Sequence, residues 1–160
     1  NRDYRIARAN RGVAFDVVGD AGLREDWGGR RIWAVHGDLV NRKDLQYRAW
    51  RRASRSTAAW WLYSAIPRAR RFAIAESVER KMRATNAQMK QEFPEALVKD
   101  YASRHLQTAG SVMVLGHFHV ERELRAGPAD EGRIFVLPEW KGSRRHLRVT
   151  STGEMRFEDS

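Results

Sequence analysis

Short apolar, β-branched runs bounded by glycine occupy both ends of the chain, and a helical pattern occupies the stretch between them. Leu23 to Asp26 and Arg30 to Val35 flank Trp27-Gly28-Gly29, and Gly-Gly between strand-like runs predicts a tight hairpin. From Lys43 to about Lys90 the residues are good helix formers with no strand signal, and Pro67 splits the stretch. After Pro67, the residues Phe72, Ala75, Val78, Met82 and Met89 recur at helical steps as one apolar stripe, with Glu79, Arg83, Asn86 and Lys90 along its flank. Pro94 to Gln107 reads as a further helix ending near Gly110, followed by a strand from Ser111 to Leu115. Strands are then expected at Val120 to Arg125, Arg133 to Leu137, Arg145 to Thr150 and Glu154 to Glu158, separated by turns at Gly127-Pro128 and Thr152-Gly153. This order predicts a mixed α/β (α+β) sandwich built from residues 1–41 and 92–160, with a helical insertion at 42–91.

Length and charge sharpen that picture. A chain of 160 residues holds one ordinary domain with a sizeable core, and without cysteine it has neither disulfides nor a thiolate metal site. No apolar run is long enough to span a bilayer and no secretory signal is visible. The first residue, Asn1, already belongs to a motif, so the natural beginning of the protein is expected to lie further upstream. Residues 42–90 carry thirteen Lys/Arg against three acids, which accounts for the whole net charge of +10. The segment therefore calls for an anionic partner: nucleic acid, anionic lipid or a phosphate-bearing substrate. Within it, Trp60-Trp61-Leu62-Tyr63 suits either a buried lid helix or an acyl-chain and membrane-interface surface.

The chemistry concentrates at two histidine elements about eighty residues apart, Val35-His36-Gly37-Asp38 and Leu115-Gly116-His117-Phe118-His119. Each follows an apolar run, so each is expected where a buried strand ends, the place where open α/β sheets hold ligands. Neutral imidazole is the commonest nitrogen ligand for divalent transition metals, and an Asn carbonyl is a harder companion. If His117-Phe118-His119 is extended, its two-residue period turns both rings toward one centre; if the loop bends, the rings serve two adjacent ions. Two ions roughly 3.5–4 Å apart suit hydrolysis of phosphoesters or pyrophosphates. His105 and His146 lack such partners and are expected to be ordinary exposed residues.

Asn1-Arg2-Asp3, His36-Gly37-Asp38 and Gly116-His117-Phe118-His119 resemble, in order and spacing, the last three motifs of calcineurin-like metallophosphoesterases. More narrowly, the chain resembles the UDP-2,3-diacylglucosamine pyrophosphatases of lipid A synthesis. Asp44-Leu45-Gln46-Tyr47-Arg48-Ala49-Trp50, Arg80-Lys81-Met82-Arg83-Ala84 and Leu137-Pro138-Glu139-Trp140 look like further elements of that family. The resemblance implies a metallophosphoesterase-type αββα sandwich with a helical lid, its N-terminal strands outside the given chain. It implies two Mn²⁺ ions, with Asn1, His36 and His117 on one and His119 on the other. It also implies substrate contacts from Arg2, Asp44, Tyr47 and Arg83, together with Asn86 and Lys90. The implied reaction is attack by a metal-bridging hydroxide on the α-phosphorus of UDP-2,3-diacylglucosamine, giving UMP and 2,3-diacylglucosamine 1-phosphate. The implied location is the cytoplasmic face of the inner membrane, bound peripherally through residues 42–90. Two departures stand out: the family's Asp-x-His and Gly-Asp elements that precede the Asn motif are not among the residues given, and its Gly-His-Thr-His-Arg-Pro appears as Gly-His-Phe-His-Val-Glu. The alternatives are another dinuclear metallophosphoesterase acting on a nucleotide or phosphodiester, and a non-catalytic basic module that binds RNA or anionic lipid.

Overall fold

The Trp27-Gly28-Gly29 signal produces a hairpin between β1 (Leu23–Trp27) and β2 (Arg30–Val35), paired antiparallel from Leu23↔Ala34 to Trp27↔Arg30. Both turn glycines take positive φ, +57° and +72°, as a two-residue turn matched to strand twist requires. These details come from a computed structural model that describes residues 22–43, 45–54, 56–74, 76–77, 80 and 93–160.

Two compact units divide the chain, one drawn from Asn1–Val40 with Pro94–Ser160 and the other from Asn41–Phe93. In the first, β3 (Val112–Leu115) lies parallel to β2, β5 (Gly132–Val136) lies parallel to β3, and β4 (Arg122–Ala126) closes the far edge antiparallel to β5. The resulting five-stranded mixed sheet has the order β1-β2-β3-β5-β4, while β6 (Arg145–Val149) and β7 (Met155–Asp159) form a separate antiparallel pair. This mixed α/β arrangement is compatible with a metallophosphoesterase-type core.

Alternation along the strands sends side chains to two packed faces. On one, Val112 and Phe135 are fully buried with Ile32 and Val114 against Leu147, Val149, Met155 and Phe157 of the β6–β7 pair. Phe135 meets Phe157 edge to face at 5.8 Å. On the other, Trp33 stacks on Tyr101 of α3 (Glu95–Ser103), while Val98 and Ala102 of that helix are buried. Each fully buried side chain of this size stabilises the fold by roughly 1.5–3 kcal/mol. His105 is exposed but not idle: its ring lies 4.4 Å from Trp33 and its Nδ1 donates to the Tyr101 carbonyl at 2.7 Å.

The second unit contains α1 (Leu45–Ser54) and α2 (Thr57–Ala65), and residues 68–74 are helical as well. Pro67 interrupts the helices as its chemistry dictates, holding Ile66 in extended backbone. A second break, absent from the sequence reading, occurs at Ser56, whose Oγ accepts from the Ala59 amide at 3.1 Å and caps α2. Of the expected apolar stripe, Phe72 is 65% exposed, and Ala75, Val78, Met82 and Met89 lie outside the described residues. At the other end of the chain, the short α4 (Trp140–Ser143) was not foreseen; it fits between β5 and β6 and closes with Arg144 in the left-handed region.

Candidate functional site

The register of the parallel strands builds the site. Val35↔Leu115 is the last pair of the β2–β3 ladder, so His36 and the Gly116–His119 loop leave the same carboxyl edge of the sheet side by side. The Gly116 amide donates to the Val35 carbonyl at 3.4 Å, and the His36 and His117 rings meet edge to face with centroids 5.2 Å apart. Gly37 makes this approach possible. Its φ of +99° is strained for any residue with a Cβ, and a methyl group there would sit 3.4 Å from the His117 Cβ and 3.5 Å from the Phe118 ring. The next parallel strand ends at the same edge, where the Leu137 amide donates to the Leu115 carbonyl at 2.7 Å, just before Pro138 and Glu139.

Burial sets the charge state of these imidazoles. His36 is held down to about 4, first by loss of solvent and also by the neighbouring His117 and His119, while Asp38 opposes the shift. His117 is lowered by the same burial, again opposed by Asp38. Both rings are therefore neutral at pH 7, the form in which an imidazole ligates a cation. That donor chemistry fits a divalent transition metal.

His117-Phe118-His119 is bent rather than extended. His117 and His119 take φ of +59° and +56°, a left-handed conformation that costs about 1–3 kcal/mol per residue and persists only where the surroundings over-determine it. Phe118 lies between them, its amide donating to the Gly116 carbonyl at 2.6 Å and its ring 5.2 Å from that of His117. The extended alternative therefore does not apply, and His119 is exposed where His117 is half-buried. Among the described residues no group of three or more His, Asp or Glu gathers tightly enough to hold an ion.

Of the other candidates, Tyr47 is half-buried on α1 of the second unit. Asn1, Arg2, Asp44, Arg83, Asn86 and Lys90 lie outside the described residues. Sequence reading missed Arg145, whose guanidinium grips Glu121, two residues beyond His119, through Nε–Oε2 at 2.7 Å and Nη2–Oε1 at 3.2 Å. No local motif joins residues 24 positions apart, so only the fold reveals the pair.

No protein-family model matches the chain. Among curated proteins it is similar to the UDP-2,3-diacylglucosamine hydrolase of Aeromonas hydrophila, at 28% identity over 99% of this chain and 66% of that protein. The like-named proteins of Aeromonas salmonicida and Pseudomonas putida are 30% and 28% identical over 99% and 96% of this chain, and 62% and 64% of their own lengths. The chain thus spans between half and two-thirds of the curated relatives it matches.

Proposed function

We propose that this chain, a relative of the UDP-2,3-diacylglucosamine hydrolases, supplies the histidine side of a metal-dependent site that hydrolyses the pyrophosphate of UDP-2,3-diacylglucosamine. The observation that carries the proposal is the in-register β2–β3 edge, where two neutral imidazoles, His36 and His117, meet at 5.2 Å. In this reading His36, His117 and His119 hold the metals together with Asn1, and the ions are two Mn²⁺. Bound divalent metal would supply Lewis-acid polarisation of the phosphoryl group and acidify the attacking water. The bond between the α-phosphorus and the bridging oxygen breaks, that oxygen leaves with the sugar phosphate, and water completes UMP. Arg2, Asp44, Tyr47, Arg83, Asn86 and Lys90 contact the substrate in the same reading.

A lipid substrate accords with the surface of the second unit. Leu45, Trp61, Leu62 and Phe72 are 65–73% exposed, and Arg48, Arg52, Arg68 and Arg70 are exposed on the same helices. Exposed apolar side chains beside cations suit a headgroup and acyl boundary, and no helix among the described residues is long and apolar enough to cross a membrane. We therefore assign residues 42–90 to peripheral contact with an anionic membrane, on the cytoplasmic face of the inner membrane.

Metal content and Mn²⁺-dependent release of UMP from UDP-2,3-diacylglucosamine, measured in the full-length protein, test the reading. The expected result is bound metal and turnover lost in both His36→Ala and His119→Ala. Bound metal without UMP release would redirect the chemistry to another phosphate ester. No metal, with salt-sensitive RNA or lipid binding that survives both substitutions, would replace the enzyme with a binding module.

A further inference from the structure

The His117–His119 loop needs anchors at both ends, because two non-glycine residues in left-handed backbone do not hold themselves. Its incoming end is tied by the Gly116 amide to the Val35 carbonyl and by the Leu137 amide to the Leu115 carbonyl. Its outgoing end passes through Glu121 before the β4–β5 ladder begins at Arg122↔Val136. We propose that Arg145 is a positioning residue for the metal-site loop, clamping its outgoing end through the Glu121 carboxylate and thereby aiming the His117 and His119 imidazoles. The proposal rests on the metal reading of those histidines.

The geometry is that of an oriented fork rather than a chance surface pair. Nε and Nη2 of Arg145 take both Glu121 oxygens, and Nη1 donates to Asp159 Oδ1 at 2.9 Å. Asp159 is the cross-strand partner of Arg145, so its bond to Nη1 orients the guanidinium from within the β6–β7 ladder. A planar fork transmits that orientation to a carboxylate, as a lysine ammonium cannot. The Arg145 and Glu121 side chains are 34% and 36% exposed, so their pairing adds little to global stability and acts chiefly through direction. A neighbouring pair provides the control: Arg133 of β5 donates Nε and Nη2 to a single oxygen of Glu123 of β4 at 3.0 and 2.8 Å, past the loop.

The test compares Arg145→Gln, Glu121→Gln, Arg145→Lys and Arg133→Gln in the full-length protein. Two readouts are taken: Mn²⁺ affinity from the paramagnetic resonance of free Mn²⁺, and hydrogen exchange of the Phe118 amide in metal-free protein. Arg145→Gln and Glu121→Gln are expected to weaken Mn²⁺ about tenfold, the usual scale for a residue that orients a ligand, and to speed Phe118 exchange several-fold. Arg145→Lys recovers only part of the affinity, and Arg133→Gln changes neither quantity. Unchanged exchange and affinity in Arg145→Gln would overturn the clamp. Faster exchange with unchanged affinity would also overturn it, since the loop would then be ordered without the imidazoles being aimed. A wild type that binds no Mn²⁺ sinks the metal reading itself, and with it the assigned purpose of Arg145.

Discussion

Replacing Gly28 by alanine should destabilise the protein several times more than replacing its neighbour Gly29, although both lie in one turn at positive φ. At Gly29, φ +72°, a new methyl group meets nothing within 4 Å. Its cost is the left-handed conformation, about 1–2 kcal/mol, less about 0.4–1 kcal/mol for the reduced freedom of the unfolded chain. The net is roughly 0.5–1 kcal/mol, a fall in Tm of about 1–4 °C for a chain of this size. At Gly28 the same backbone term applies, but the methyl group is driven into the Gly153 backbone and lies 2.9 Å from the Thr152 carbonyl carbon. The turn between β6 and β7 must then retreat from the turn between β1 and β2. That retreat breaks the bonds from Trp27 Nε1 to the Thr150 carbonyl at 3.0 Å and from Arg30 Nε to the Gly153 carbonyl at 2.9 Å. At roughly 0.5–1.5 kcal/mol for each bond, the total for Gly28→Ala reaches about 1.5–4 kcal/mol before any loss of packing, a fall of about 3–16 °C. Thermal melts followed by circular dichroism distinguish the two variants. Equal shifts would refute the argument, because the β6–β7 pair would then not depend on the close approach of the two glycines.

Three further outcomes are expected. Phe135→Ala, at a fully buried position between the sheet and Phe157, should cost about 3–5 kcal/mol in urea unfolding; a loss under 1 kcal/mol would mean that this layer is not packed as described. His36, lowered from 6.5 to about 4, makes the unfolded chain bind more protons between those values, so metal-free stability is full above pH 6.5 and is lost as pH falls toward 4. His36→Asn should flatten that slope, which for one proton is at most about 1.4 kcal/mol per pH unit, and an unaltered slope would remove His36 as its source. Trp61→Ser with Leu62→Ser should weaken binding to vesicles rich in anionic lipid while leaving any hydrolysis of a water-soluble substrate unchanged; equal vesicle binding would take α2 out of the membrane contact.

The strands and the histidine edge were legible in the sequence because their signals are local. An apolar run followed by Gly and His states in a few residues that a strand ends and a loop begins, and β2 and β3 then needed only parallel pairing in register to bring His36 to His117. The second helix break was equally local, since a serine cap at Ser56 accepts from Ala59 three residues on, yet the more conspicuous Pro67 drew the whole division. What could not be read was anything requiring distant partners. Of the two conformations open to His117-Phe118-His119, the bent one is adopted, with positive φ at both histidines, and no residue of the motif announces which it would be.

The same distinction explains the clamp. Two residues after the second histidine stands Glu121. A proline ring would fix φ at that position and stiffen the exit of the loop through the backbone itself. Glutamate fixes no torsion, so an equivalent restraint has to come through its side chain. Arg145 is built to deliver it: oriented by Asp159 across the β6–β7 ladder, it holds both oxygens of Glu121. The restraint is tertiary, and it ties the aim of the histidine loop to the docking of the β6–β7 pair. For that reason Gly28→Ala, which loosens the pair at its opposite end, should weaken Mn²⁺ binding as well as lower Tm, whereas Gly29→Ala should leave the affinity alone.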